Sequence, residues 1–221
     1  LRAQNATLGR IGVGYFYTNF EPQVQFVSNR SGGVGFAASI VRPDTVTPND
    51  EVSSPRFEAR LDYSGDVLGA WVSGGYQQVD VVNSNNQLED ATMTGADVGA
   101  SLNLGRAALR ANFSRTEGTG GIVFGNATAA QTIAEEEYDQ YYVEGTFATS
   151  SNTTLGVSYG EGGFESYDED RELLMLFGRY QATDSLTLMA EVQDHEGAVS
   201  NGGVEGPGSY DAISVGAQLT F

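Results

Sequence analysis

Cysteine and lysine are both missing from this chain of 221 residues. Without cysteine, the protein can form neither a disulfide bond nor a thiolate metal site. Long apolar runs are missing too: the longest is the five residues 173–177, whereas a transmembrane helix needs about 20. The chain therefore either stays out of membranes or crosses them with β-strands, which expose only every second residue to lipid.

The charge of the chain is strongly one-sided. Its 11 basic residues, all arginine, face 29 acidic residues, and the formal net charge is −18. With no basic stripe, the protein is not expected to bind nucleic acid. The acidity has two interpretations, namely solubility in salty surroundings or an acidic outer surface that binds divalent cations.

The dominant pattern is an alternation of apolar and polar residues with period two, interrupted at regular intervals by Gly, Asn, Asp and Ser. From residue 22 onward it predicts eleven strands, of which those at 22–29 and 173–177 fit less well. The second of these is apolar on both faces, so we expect its inward side to pack against a loop.

The connections between these strands alternate in length. Short turns are predicted near residues 29–33, 64–66, 104–106, 149–152 and 181–184. Long polar connections are predicted near residues 43–53, 80–90, 117–136, 161–170 and 196–208. A transmembrane barrel has this arrangement, with short turns on the periplasmic side and long loops outside.

A soluble β-sandwich or lectin would also have one dry and one wet face per strand. Three features favour the membrane instead. The polar faces carry mostly small residues, the apolar faces carry aromatic residues near strand ends, and the charges concentrate in the long connections. The predicted fold is therefore all-β, a transmembrane antiparallel up-and-down β-barrel that forms one domain over residues 1–221.

Two segments resemble the general porins of Gram-negative bacteria. Residues 21–39 read EPQVQFVSNRSGGVGFAAS and are similar to a strand–turn–strand that follows the inward-folded constriction loop in that family. The C-terminal strand resembles the terminal strand that outer-membrane barrels present to their insertion machinery. Its candidate signal residues are Tyr210, Ile213, Val215, Ala217, Leu219 and Phe221.

The resemblance leaves two interpretations of the N-terminal part. In a porin of sixteen strands, eleven follow the constriction loop, so residues 1–20 would be the end of that loop. Alternatively, residues 9–18 form a twelfth strand with Ile11, Val13, Tyr15 and Tyr17 facing outward, which closes a small barrel. An unclosed sheet would expose strand edges that lipid does not tolerate.

Charged side chains fall on the face opposite the apolar residues in several strands. The candidate pore-lining residues are Arg56, Glu58, Arg60, Asp62, Asp97, Arg110, Asn112, Glu144 and Glu191. The resemblance implies that Arg56, Arg60 and Arg110 form an arginine cluster facing acids on the constriction loop. Alternatively, these arginines pair with Glu58 and Asp62 and only solvate the wall, since such ion pairs are often inert.

Two further motifs offer chemistry. Asp168, Glu169 and Asp170 supply the oxygen ligands that Ca²⁺ prefers, although without the spacing of an EF-hand, so a weak Ca²⁺ site competes with a solvated acidic loop. His195, the only histidine, follows Asp194 at the outer end of a strand. A rim hydrolase would need an oriented nucleophile or water beside it, and we expect a loop-edge histidine instead.

The resemblance implies a passive diffusion channel in the bacterial outer membrane, with no enzymatic activity and no cofactor other than Ca²⁺ at acidic outer loops. The expected partners are outer-membrane lipid, lipopolysaccharide, two further copies in a homotrimer, and small hydrophilic solutes. The main alternative is a structural or adhesive barrel whose lumen is plugged. Meeting of the inward apolar residues Trp71, Met175 and Phe177 in one plug would favour that alternative.

Overall fold

The computed structural model describes most of the chain, with a few short gaps. The described residues are 13–16, 21–52, 54–121, 124–125, 127–166, 170–201, 204–207 and 209–220. Among these residues, no helix is long and apolar enough to cross a membrane.

The alternating segments form an antiparallel sheet of eleven strands, nearly all of them adjacent in chain order. Ten follow one another directly: β1 (Gln23–Val27), β2 (Val34–Val41), β3 (Arg56–Ser64), β4 (Leu68–Val82), β5 (Leu88–Leu104), β6 (Ala107–Glu117), β7 (Glu137–Ala148), β8 (Thr153–Phe164), β9 (Arg171–Gln181) and β10 (Leu186–Glu196). A small hairpin of β11 (Ala198–Asn201) and β12 (Val204–Pro207) then precedes β13 (Tyr210–Leu219), which pairs with β10. The predicted up-and-down order and strand number are confirmed.

One face of the sheet, the outer face, carries exposed apolar side chains along every strand. At mid-height these include Val72, Val98, Val143, Val157, Leu176 and Val192, each about half exposed. Cross-strand pairing places them in register, for example Val72 opposite Val98 and Val157 opposite Leu176. A continuous exposed apolar belt would cause aggregation in water, whereas it matches the hydrocarbon core of a bilayer.

The short turns lie at one end of the sheet and the longer loops lie at the other end, which we call the outer end. Two predicted connections are wrong in their bounds. β8 extends to Phe164, four residues into the predicted connection 161–170. The polar stretch 80–90 is mostly strand, because Asp80 pairs with Asp90 and only residues 83–87 remain as the turn. Extension of β4 and β5 lengthens this hairpin beyond the apolar belt without a long loop.

Two outer loops fold back over the inner face, and we call the described parts of residues 42–52 and 118–136 the outer cap. A short helix, α1 (Ala129–Ile133), lies in the second loop and begins with a capping box between Thr128 and Gln131. The apolar core of the cap contains Val79, Val81, Ala91, Met93 and Phe124, with Val46, Val52, Ala129 and Ile133 packed against it. Inward apolar residues of β4 and β5 are thereby buried.

Candidate functional site

A charged column runs down the inner face of β3. Arg56, Glu58, Arg60 and Asp62 alternate with the exposed Phe57, Ala59, Leu61 and Tyr63, as predicted from the period of two. Arg60 Nε lies 3.5 Å from a carboxylate oxygen of Asp62, and Arg30 forms a second ion pair with the same carboxylate. The lower part of this column therefore carries both charge signs at the surface of the wall.

Arg56 differs from the rest of the column because the outer cap covers it. Its side chain is only 1% exposed, it pairs with Asp44 and Glu58, and its guanidinium lies 4.8 Å from the ring centre of Phe124. The prediction that Arg56 lines an open pore is therefore wrong. The arginine is buried between the cap and the wall, and its contacts hold the two together. Gln77 adds to this attachment through two hydrogen bonds with the backbone of Asp44.

A second charged region crosses the lower wall from β6 to β10. Arg110 lies opposite Glu144 in the β6–β7 register, and Arg179 interacts electrostatically with both Glu144 and Glu191. Glu191 is itself buried. Arg179 was not predicted, because residues 173–177 are apolar on both faces and concealed the alternation that places it inward.

Between these regions, the only tryptophan of the chain lies on the inner wall. Trp71 Nε1 donates to Asp97 Oδ1 at 2.7 Å and to Asn112 Oδ1 at 3.2 Å. The indole covers Gly99, where an added Cβ would come within 2.1 Å of the ring. Asp97 therefore faces inward as predicted, but Trp71 is a member of the same polar group.

Residues 13–16 lie against the inner face. Gln140 Oε1 accepts from Gly14 N at 3.0 Å, and Asn112 Nδ2 donates to Gly14 O at 3.2 Å. Gly14 has φ +130° and approaches Tyr142 so closely that an added Cβ would lie 2.8 Å from the Tyr142 Cβ. We call residues 13–16 the inner segment. Asn112 is buried beneath it and does not contact an open lumen, which corrects its predicted role.

The inner segment also explains the doubly apolar strand. Val13 packs against Leu173 and Met175 on the inner face of β9, as expected from the apolar inward side of residues 173–177. The twelve-strand interpretation, in which Val13 faces outward, is wrong for this residue. Ile11 and Tyr17 lie outside the described residues.

The three inward apolar residues that would indicate a plug do not meet. Trp71 lies on Gly99 of β5, Met175 contacts Val13, and Phe177 covers Gly156 of β8. Trp71 and Met175 belong to strands β4 and β9, which four other strands separate in the sheet. Within the described residues, no single cluster joins them.

His195 and Asp194 point to opposite faces of β10. His195 faces inward, is 6% exposed, and stacks on Tyr210 with ring centres 4.9 Å apart. Asp194 is on the outer face and exposed. The period of two therefore separates this dipeptide, and Tyr210 lies on the face opposite Ile213 and Val215 within the predicted insertion signal.

The remaining predicted sites are described only in part. Asp168 and Glu169 of the possible Ca²⁺ site lie outside the described residues, as does Phe221 of the insertion signal. In the part of the chain that the structure does describe, no group of three or more His, Asp or Glu side chains is arranged to hold a metal ion.

An apolar outer belt, a charged inner wall and an inner segment held on that wall together define a bacterial outer-membrane β-barrel protein. The sequence matches the Gram-negative porin family over residues 4–220. The chain belongs to this family and is a protein of the bacterial outer membrane. No curated protein matches the sequence individually.

Solved porin structures share the fold at low sequence identity. The outer membrane channel DcaP of Acinetobacter baumannii gives a TM-score of 0.71 at 17% identity, over 96% of this chain and 64% of DcaP. The anion-selective porin from Comamonas acidovorans gives 0.70 at 14% identity, over 90% and 59% of the two chains. OmpT, an outer membrane protein of Vibrio cholerae, gives 0.58 at 17% identity, over 89% and 64%. The present chain thus spans less than two thirds of the length of these proteins.

Proposed function

We propose that this chain forms most of the wall of a water-filled channel through which small hydrophilic solutes and ions diffuse passively. The observation that carries the proposal is the combination of a partly exposed, charged inner wall with an apolar outer belt on the same eleven strands. A wall that meets water on one side and lipid on the other requires this division.

The edges of the sheet support a wall that further strands complete. β1 and β13 each pair on one side only among the described strands, and Val24 of β1 and Val215 of β13 are 77% and 79% exposed. Lipid does not tolerate unpaired strand edges. We propose that both edges pair with additional strands, and that the inner segment belongs to a constriction region inside the completed barrel.

The proposed channel favours cations over anions. On the inner wall, acidic and basic groups nearly balance, as in Arg60 beside Asp62 and Arg110 opposite Glu144. The net charge of −18 therefore resides largely elsewhere, and the acidic outer loops attract cations to the mouth. Reversal potentials in a salt gradient test this preference, and a clear preference for anions would refute it.

We further propose that the channel catalyses no reaction. The feature that supports this is the separation of Asp194 from His195 on opposite faces, since a general base needs an orienting partner within hydrogen-bond reach. Replacing His195 with Ala is expected to leave channel activity intact.

The proposed assembly is a homotrimer in outer-membrane lipid and lipopolysaccharide. Ca²⁺ bound at the acidic outer loops would bridge these loops to lipopolysaccharide. Single-channel recording of the detergent-purified porin in a planar bilayer tests both the channel and the assembly. Conductance steps in groups of three are expected. A folded protein that inserts without conducting would refute the channel and favour a plugged structural barrel.

A further inference from the structure

The position of Trp71 suggests more than a structural role. Its indole is only partly exposed, yet the covered side is known: the ring lies where an inward Cβ of Gly99 would stand. The indole is therefore on the inner side of the wall, where it covers Gly99 and remains partly exposed. Its hydrogen bonds to Asp97 and Asn112 fix the orientation of the ring plane.

Phe177 offers a comparison within the same molecule. It also lies over a glycine of the neighbouring strand, Gly156, with Arg179 5.0 Å from its ring centre. However, Phe177 is only 7% exposed. Packing thus accounts for Phe177, whereas Trp71 remains partly exposed.

Asn112 connects Trp71 directly to the inner segment. Its Oδ1 accepts from the indole, and its Nδ2 donates to Gly14 O. Trp71 therefore lies at the height of the inner segment, which occupies part of the lumen cross-section. The indole and the inner segment are therefore neighbours on the same part of the inner wall.

The polar groups around Trp71 carry both charges. Asp62 lies opposite Trp71 in the β3–β4 register, and Arg60 interacts with both Asp62 and Asp97. Arg60 Nη1 has no hydrogen-bond partner among the described residues although it is buried from solvent. Balanced charges give little net attraction for an ion of either sign, while carboxylates and a guanidinium can bind neutral hydroxyl groups.

Resting on the channel function proposed above, we propose that Trp71 is the platform of a saccharide-binding site in the lumen. An indole face packs against the C–H face of a sugar ring, and the planar side chains of Arg60, Asp62 and Asp97 bind its hydroxyl groups. This combination of one aromatic face and a few placed polar groups is typical of small-molecule sites. The site would retain neutral sugars briefly at the height of the inner segment.

The test uses the purified porin in a planar bilayer with three neutral trisaccharides, maltotriose, cellotriose and chitotriose, as probes. At least one of the three sugars is expected to block the KCl current, with a block that saturates as its concentration rises. Polyethylene glycol of similar size is expected to cause no such block. Trp71→Ala is expected to weaken binding roughly five- to tenfold, because it removes the aromatic contact. Phe177→Ala is the matched control and should leave the binding constant unchanged.

A second measurement does not depend on a variant. Trp71 is the only tryptophan, so the same trisaccharide should shift the fluorescence of the unaltered protein with the same binding constant. A conducting channel that none of the three sugars blocks, or that polyethylene glycol blocks equally, would overturn the saccharide site and leave the channel function standing. If the unaltered protein conducts no KCl current at all, the channel function itself is refuted.

Discussion

Two inward-facing regions of the same sheet differ in polarity. The outer ends of β4 and β5 carry the apolar Val79, Val81 and Met93, all of them almost completely buried. Lower on the same strands, the inner face carries Trp71 and Asp97, and both remain partly exposed. The apolar region lies beneath the outer cap, and Phe16 of the inner segment packs against it, whereas the polar region lies beside Gly14 of the same segment. The character of an inward position therefore depends on what covers it.

The buried arginine gives the largest expected effect on this contrast. Arg56→Leu removes the guanidinium that pairs with the buried Asp44 carboxylate, which costs about 3–5 kcal/mol. We expect the outer cap to detach, as measured by urea unfolding and by proteolysis within the loop 118–136. Arg115→Leu is the control, since Arg115 also pairs with two carboxylates, Glu137 and Asp139, but is exposed. Equal destabilisation by the two variants would contradict the role given to Arg56.

Truncation in the core of the cap tests whether packing holds it in place. Met93 is fully buried, so Met93→Ala is expected to destabilise the protein by about 2–5 kcal/mol. Val98→Ala, on the same strand but half exposed on the outer face, should cost less. Denaturant unfolding followed by Trp71 fluorescence compares them, and a larger loss at Val98 would reverse the assignment of the faces.

The inner segment can be displaced through its glycine. Gly14→Ala places a Cβ against Tyr142 at a backbone conformation that L-residues rarely adopt, with a strain of order 1–3 kcal/mol. The segment should leave the wall, and single-channel conductance should change while the sheet stays folded. Gly32→Ala, in the open turn between β1 and β2 with φ +57°, is expected to leave conductance unaltered.

Acid should weaken one turn of the cap slightly. Partial burial would raise the pKa of Asp50, but hydrogen bonds from Thr47, Val82 and Val46 outweigh it and hold the pKa below its ordinary value. A carboxyl with a lowered pKa stabilises the fold above its unfolded pKa, and this contribution is lost as the pH falls through the folded value. Between pH 7 and the acid range below about pH 4, Asp50→Asn should therefore show a smaller loss of cap stability than the unaltered protein. An unchanged pH dependence would remove Asp50 from this role.

The strands and their faces were predictable because period-two alternation reports directly which residues share a side. Arg60, Asp62 and Asp97 were correctly assigned to the inner face for this reason. The alternation carries no information about which inward residues other segments cover, so the burial of Arg56 and Asn112 was missed. Both depend on contacts between residues far apart in the chain.

Two features had weaker signals in the sequence. The helix α1 begins with a Thr-x-x-Gln capping box at Thr128 and Gln131, but five helical residues are too few to show a helical period. Trp71 stood on the polar side of its strand, yet its interaction with Asn112 crosses an intervening strand. Such a contact follows from strand order and register, which local sequence does not specify.

In the proposed channel wall, one face of the sheet meets water and the other meets lipid. Since the chain contains no cysteine, single cysteines can be introduced at Ser73 on the inner face and at Val72 on the outer face of the same strand. Treatment of the porin in a bilayer with a charged, membrane-impermeant thiol reagent should reduce the current through Ser73→Cys and leave Val72→Cys unchanged. Modification and block at Val72 without any effect at Ser73 would contradict the account.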